Sequence, residues 1–247
     1  MRSIIGRTGG KTKIKKEIIK LIPKHKTFVE PFVGGGAVFF GREEPSEVEV
    51  VNDKDPDVYH IYKDTQEIGN ELSNADFTSY RDKFERLKKQ KSFKSKKERL
   101  YRNLYLSINS FRSNRRNYNE HKHQGRKSKP GKNFRESDYQ GRLKGVKIFR
   151  QDFDKVMKKF DAPDTFFYLD PPYSRAGDNK DYEFNFIDID ELNKLLRALK
   201  GKFLLSYDDT PKARKVFKGF KIRSIKTVYE LGQGKKREVK ELLISNY

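Results

Sequence analysis

The segment "TFVEPFVGGGAVFF", residues 27–40, together with "EVEVVND", residues 47–53, constrains the fold more than any other part of the chain. A short apolar run of strand type breaks into three glycines, an apolar stretch follows, and a second strand-type run ends on Asn52 and Asp53. Strand, glycine loop, helix, strand and terminal acid is the opening unit of a doubly wound parallel sheet, so an α/β domain is expected. Gly34 and Gly36 leave a backbone that a ligand can approach, and Asp53, 19 residues after Gly34, can accept both hydroxyls of a ribose. The pair suits an adenosine-containing ligand; a plain tight turn is the competing account. A dinucleotide loop would want glycine at its sixth position, where Phe39 stands. Glu30 and Phe32, just before the glycines, suit a cation, the acid meeting an ammonium and the ring packing on a sulfonium or purine. S-adenosylmethionine carries both cations.

The remaining chain keeps this rhythm at its two ends and loses it in the middle. Residues 12–22 place Ile14, Ile18, Leu21 and Ile22 at helical spacing before Pro23. After residue 145 come "VKIFRQDF", the strand "FFYLD", a helix with Leu192, Leu195, Leu196 and Leu199 on one face, and the strand "KFLLSYD". Two alternating segments around Gly232-Gln233-Gly234 predict an antiparallel pair at the sheet edge. Between residues 66 and 145 the pattern changes to a polar helix, a basic linker, a more apolar helix and a loop-rich basic tract. The expected organisation is therefore a catalytic domain of residues 1–65 and 146–247, with an inserted, mainly helical domain at 66–145.

Charge is concentrated in that insert. Of a net +21, residues 81–150 hold 24 Lys and Arg against 6 Asp and Glu. Such a field suits a polyphosphate partner, because each neutralised phosphate releases condensed counterions. Tyr101, Tyr105, Phe111, Tyr118, Phe134 and Tyr139 are interleaved with it, favouring nucleic acid over a merely solvated basic stretch. Cysteine is absent, which excludes disulfides, thiolate zinc sites and cysteine nucleophiles. The four histidines, His25, His60, His121 and His123, are too scattered to predict a metal site. No apolar run approaches the roughly 18 residues of a membrane span, and the N-terminus lacks a signal-type apolar stretch, so an intracellular protein is expected.

The chemistry is carried by "TFFYLDPPYSR", residues 165–175. The amino group of adenine is a weak nucleophile because its lone pair is delocalised into the ring. Two fixed acceptors binding both N–H hydrogens would turn that pair toward an incoming methyl group. Asp170 supplies one acceptor and the Pro171 carbonyl the other, held rigid by Pro171 and Pro172. Tyr173 offers a ring for stacking on a base taken out of the duplex. The bland alternative is a strand-ending turn in which Asp170 caps a helix and Tyr173 packs.

Read in order, "RTGGK", "FVEPFVGGG", "VVNDKD", "QDF", "LDPPY", "LLSYDDT" and "KKREVKELLISNY" resemble the Dam family of DNA adenine methyltransferases. In this alpha-type arrangement the cofactor loop precedes, and the catalytic motif follows, the target-recognition region. The resemblance implies a Rossmann-like class I methyltransferase sheet and S-adenosylmethionine as methyl donor. It implies that Asp53 binds the ribose, that Gly34 and Gly36 shape the pocket, that Lys11, Asp152 and Phe153 also contact the cofactor, and that Asp170 sits between cofactor and flipped adenine. Arg7 stands where relatives usually carry an aromatic residue. A second departure follows the basic tract, where "NFRESDYQGRL" replaces the usual Asn-Phe-x-x-Pro-Phe-Gly-like segment. Arg112, Asn114, Arg115, Arg116, Tyr118 and Asn119 are the candidates for groove contacts in double-stranded DNA, with plain phosphate binding as the alternative for each. The resemblance weights the target toward GATC, and a monomer or weak dimer on DNA, in the cytoplasm or at the nucleoid, is expected. A catalytically inactive DNA-binding protein, or an amino-methyltransferase acting on cytosine or RNA, are the other readings.

Overall fold

The parallel strands are apolar on both faces, and this decides how the sheet is covered. The structure is a computed structural model describing residues 1–7, 9–120, 125, 138–172, 187–232 and 235–247. Its chain divides into two compact units. A sheet unit comprises Lys13–Val33, Glu44–Lys54 and Phe149–Tyr247; a helical unit comprises Met1–Thr12, Gly34–Glu43 and Asp55–Ile148.

Seven strands, β1 (Thr27–Glu30), β2 (Val48–Asn52), β3 (Lys147–Phe149), β4 (Thr165–Leu169), β5 (Lys202–Asp208), β6 (Lys221–Gly232) and β7 (Lys235–Ser245), form one sheet. Their order is β3-β2-β1-β4-β5-β7-β6. β1 runs parallel to β2 and β4, and β4 runs parallel to β5. β7 is antiparallel to both β5 and β6, so the expected edge pair is present. The residues Gln233 and Gly234 of its predicted turn lie outside the described residues. This mixed α/β architecture is consistent with a class I methyltransferase sheet.

All five residues of β4 are buried. On one face Val29, Phe167, Leu169, Phe203 and Leu205 pack with Val156 and Met157 of α6 (Phe153–Phe160) and Leu192 and Leu196 of α7 (Ile189–Ala198). On the other, Phe166 meets Phe28, His25 and Tyr247 at ring-centroid distances of 6.0, 5.5 and 6.2 Å. Full burial of each such side chain contributes roughly 1.5–3 kcal/mol.

Two sequence expectations change. The N-terminal helix is shorter than 12–22: a 3-10 turn at Lys11–Lys13 leads into α1 (Lys15–Lys20). No helix follows the glycines. Residues 37–40 make a single turn, closed by Phe40 N–H on the Gly36 carbonyl at 2.9 Å, and Gly41 and Pro45 prevent its extension. Val38, Phe39 and Phe40 are all buried, so the run has no polar face to expose.

The helical unit is built on α2 (Pro56–Ile68), α3 (Arg81–Lys89), α4 (Lys96–Asn109) and α5 (Tyr139–Leu143). Asp55 caps α2, its side chain accepting from the N–H groups of Asp57 and Val58, with Pro56 as the first helical residue. Arg99 of α4 holds the buried Asp64 of α2 through two bonds of 2.8 and 2.7 Å, and Arg102 holds Asp57 at 3.0 Å. Tyr105, Tyr118 and Tyr139, which the sequence suggested as partners of nucleic acid, are buried here. No helix among the described residues is long and apolar enough to cross a membrane.

Candidate active site

In the sheet unit, acidic residues gather where the parallel strands end. Glu30 closes β1, Asp53 follows β2, Asp170 follows β4 and Asp208 closes β5, while Asp152 lies three residues beyond β3. The order reverses at β1, which has β2 on one side and β4 on the other. The carboxyl ends beside such a reversal form the crevice where α/β sheets bind ligands. Glu30 is 2% exposed, a carboxylate deep in the edge.

Asn52 holds these strand ends together. Its amide nitrogen donates to the Pro31 carbonyl at 2.9 Å and the Gln151 carbonyl at 3.1 Å, and its amide oxygen accepts from Gln151 N–H at 2.9 Å. The segment after β1 is tied again by Val33 N–H on the Asn52 carbonyl at 3.0 Å. Sequence reasoning passed over Asn52 in favour of Asp53; the available signal was an amide at the end of an apolar strand, a position that demands buried partners. With the segments so fixed, Phe32 and Phe153 meet at a centroid distance of 5.1 Å.

Asp152 precedes α6 without capping it and turns to Lys54 at 2.6 Å and Lys155 at 3.5 Å. The Lys54 hydrogen bond and charge, followed by Lys155, hold its carboxyl below the ordinary 3.8. Asp170 is half-buried, Pro171 buried and Pro172 half-buried, directly after the fully buried β4. Tyr168 anchors that strand's end through Ser206 at 2.9 Å. Tyr173 lies outside the described residues. The structure thus brings Glu30, Phe32, Asp53, Asp152, Phe153 and Asp170 to the strand ends of one unit.

The helical unit contains the other candidates. Gly34 has φ +48, and a Cβ there would touch the Arg7 side chain at 3.7 Å. Gly36 (φ +69) is small because the chain itself fills the space: a Cβ would lie 2.3 Å from the Tyr62 hydroxyl and 2.8 Å from the Phe40 ring. Lys11 is buried and donates to the Gly9 carbonyl at 3.0 Å. Arg7 reaches Asp55 at 3.3 Å, and Arg115 also pairs with Asp55. Burial would push the Asp55 carboxyl up, but Arg115, Arg7 and the helix N–H of Val58 together hold it below 3.8. Sequence reasoning missed Asp55, although Asp followed by Pro is a helix-start signature.

Residues 110–119 form a closed loop. Ser110 and Tyr118 bridge its base, and Phe111 N–H bonds the Asn117 carbonyl at 2.8 Å. Asn114 turns the tip, its side-chain oxygen accepting from Arg116 and Asn117 N–H at 2.9 and 3.1 Å. Ser113 and Arg115 sit at φ 57 and 61, left-handed values that cost a non-glycine residue about 1–2 kcal/mol. Two of the groove candidates face inward in this geometry. Tyr118 is 7% exposed, its hydroxyl on Ser79 at 2.9 Å and its ring against Phe84, so it is core. Arg115 is turned inward to Asp55, with 14% of its side chain exposed. Arg116, Asn117 and Asn119 keep surface, and Asn117 was not anticipated. Arg112 is placed by its backbone in the 3-10 turn Phe111–Ser113, its side chain lying outside the described residues.

Comparison with known proteins identifies the family. The type II methyltransferase M.MjaIII of Methanocaldococcus jannaschii is 29% identical, the alignment covering 97% of this chain and 96% of the relative. M1.LlaDCHI of Lactococcus lactis subsp. cremoris is 28% identical over 97% of this chain and 93% of its own length. M.CviBI of Paramecium bursaria Chlorella virus NC1A is 28% identical over 93% and 90%. The family model of the D12 class N6 adenine-specific DNA methyltransferases matches residues 8–231. With nearly its whole length matched, the chain belongs to the D12 class of N6 adenine-specific DNA methyltransferases, enzymes that methylate adenine in DNA at specific sites.

Proposed function

We propose that S-adenosylmethionine, the donor the family implies, is held at the strand ends of the sheet unit, and that Asp170 and Pro171 receive the adenine there. The observation that carries this is the placement of Asp170 directly after the buried central strand, beside the point where strand order reverses. The donor set fits the cofactor. Glu30 meets its ammonium, Asp53 its ribose hydroxyls, and the Phe32–Phe153 pair packs on its purine or sulfonium. Asp152-Phe153 borders the base. Lys11, Gly34 and Gly36 are assigned to the same cofactor by the resemblance, and Arg7 lies over Gly34.

When bound, this cofactor supplies a methyl group already activated by its positive sulfur, so the transfer needs no metal. The chain's own work is to localise the amine. The Asp170 carboxylate accepts one N–H of the adenine amino group and the Pro171 carbonyl accepts the other, while Pro172 limits the motion of both. Tyr173 stacks on the extruded base. Residues 66–145 serve as the target-recognition segment, with Arg112, Arg116, Asn117 and Asn119 meeting double-stranded DNA and Asn114 shaping the tip that presents them. The enzyme acts as a monomer or weak dimer on intracellular DNA.

Incubation with methyl-labelled cofactor and plasmid DNA tests the reading, and single-molecule sequencing of that DNA reads the site. The wild type labels adenine. Asp170→Ala lowers turnover roughly a hundredfold or more, with duplex affinity within a few-fold. Survival of activity within about tenfold would remove Asp170 from this role.

A further inference from the structure

Asp55 joins two segments to which the proposed function gives different tasks. Its Oδ2 takes Arg7 at 3.3 Å and also takes Arg115, while Oδ1 accepts from Asp57 and Val58 N–H at 2.9 and 3.4 Å. Arg7 belongs to the N-terminal segment assigned to the cofactor. Arg115 belongs to the loop 110–119 assigned to DNA. A second contact ties the same segments: a Cβ on Gly6 would come within 2.6 Å of Ser113 Oγ. The two left-handed residues of the loop, Ser113 and Arg115, are the ones that make these two contacts. Strain concentrated at such points favours function over mere packing.

A helix cap alone does not require this arrangement. The cap uses Oδ1, which an asparagine supplies equally well, whereas a carboxylate is needed only by the two arginines on Oδ2. Arg115 Nη1 is moreover buried with no hydrogen-bond partner among the described residues. Buried charges between segments contribute little net stability but fix relative position.

We propose that Asp55 is a positioning residue for methyl transfer, linking Arg7 of a segment assigned to the cofactor to Arg115 of the loop assigned to DNA, so that S-adenosylmethionine and DNA strengthen each other's binding. This inference rests on the cofactor and DNA roles proposed above. By linkage the two effects are equal in size.

The test measures the Kd of a duplex carrying the methylated site, with and without saturating S-adenosylhomocysteine, for the wild type and for Asp55→Asn. The wild type binds the duplex at least about fivefold more tightly with the cofactor product present. In Asp55→Asn, which keeps the cap and the side-chain size, that ratio falls to within about twofold of unity under conditions where the variant is still fully folded. KM for cofactor and for DNA rise together while kcat changes less. A wild type without coupling, or an Asp55→Asn that retains it, overturns the proposal. Should Asp55→Asn not fold, Arg115→Met keeps the apolar stem and carries the same expectation and the same overturning result. Wild type that binds neither ligand defeats the functional reading and this inference with it; binding of both without coupling defeats only the inference.

Discussion

Asn52 and Asp55 stand three positions apart and do opposite kinds of work. Asn52 satisfies three backbone groups, two of them carbonyls. Asn52→Asp sets a carboxylate against those carbonyls, and the lost bonds together with the new repulsion destabilise the protein by roughly 2–4 kcal/mol, measured by denaturant unfolding. KM for the cofactor rises as the segments carrying Phe32 and Phe153 loosen. Asp55 contributes through its charge, and so through pH. Its carboxyl titrates below the ordinary 3.8 in the folded state. A depressed acid adds stability that is complete above the unfolded value and is lost as pH falls through the folded one. Asp55→Asn lacks this dependence, so its stability deficit at neutral pH shrinks as pH drops below about 4. A deficit constant across that range would show that the arginine pairs are not what the substitution removes.

At the scale of elements, legibility followed the strength of the pattern. "KFLLSYD" became β5 residue for residue and "FFYLD" became β4, because a buried parallel strand must be continuously apolar and turn residues bound it. The helix after the glycines failed because Ala37 to Phe40 is apolar without period, a pattern shared by a buried turn. The acids of the site were readable as strand endings; Asn52 and Asp55 were not, since their importance lies in long-range partners. The basic tract was readable as charge but not as surface. Lys96 and Lys97 are paired with Glu67 and Glu71, whereas Lys89, Lys91 and Lys94 are exposed at the end of α3 and the start of the following linker. Neutralising Lys89, Lys91 and Lys94 together therefore weakens binding to every duplex and lowers the slope of log K against log salt by up to about 2.7, from about 0.9 per contact. The Lys96→Ala, Lys97→Ala pair changes that slope by less than one contact's worth. A changed methylation site in the triple variant would instead make these lysines readers of bases.

Across the whole molecule, a chain of net +21 keeps its strand-end carboxylates in the sheet unit and its densest positive charge in the helical unit. The two substrates therefore answer to different electrostatics. DNA is a polyanion drawn by exposed lysines, and its binding must weaken steeply with ionic strength because counterions are released on association. S-adenosylmethionine is a small cation, and the proposed site meets it with carboxylates at a strand edge, Glu30 among them at 2% exposure, where salt screens less than it does at the surface. Initial rates measured between about 50 and 200 mM salt should show KM for DNA rising by orders of magnitude and KM for the cofactor within about threefold. Parallel rises in both constants would mean that the cofactor's affinity comes from exposed charge rather than from the buried strand ends, and the assignment of Glu30 to its ammonium would go with it.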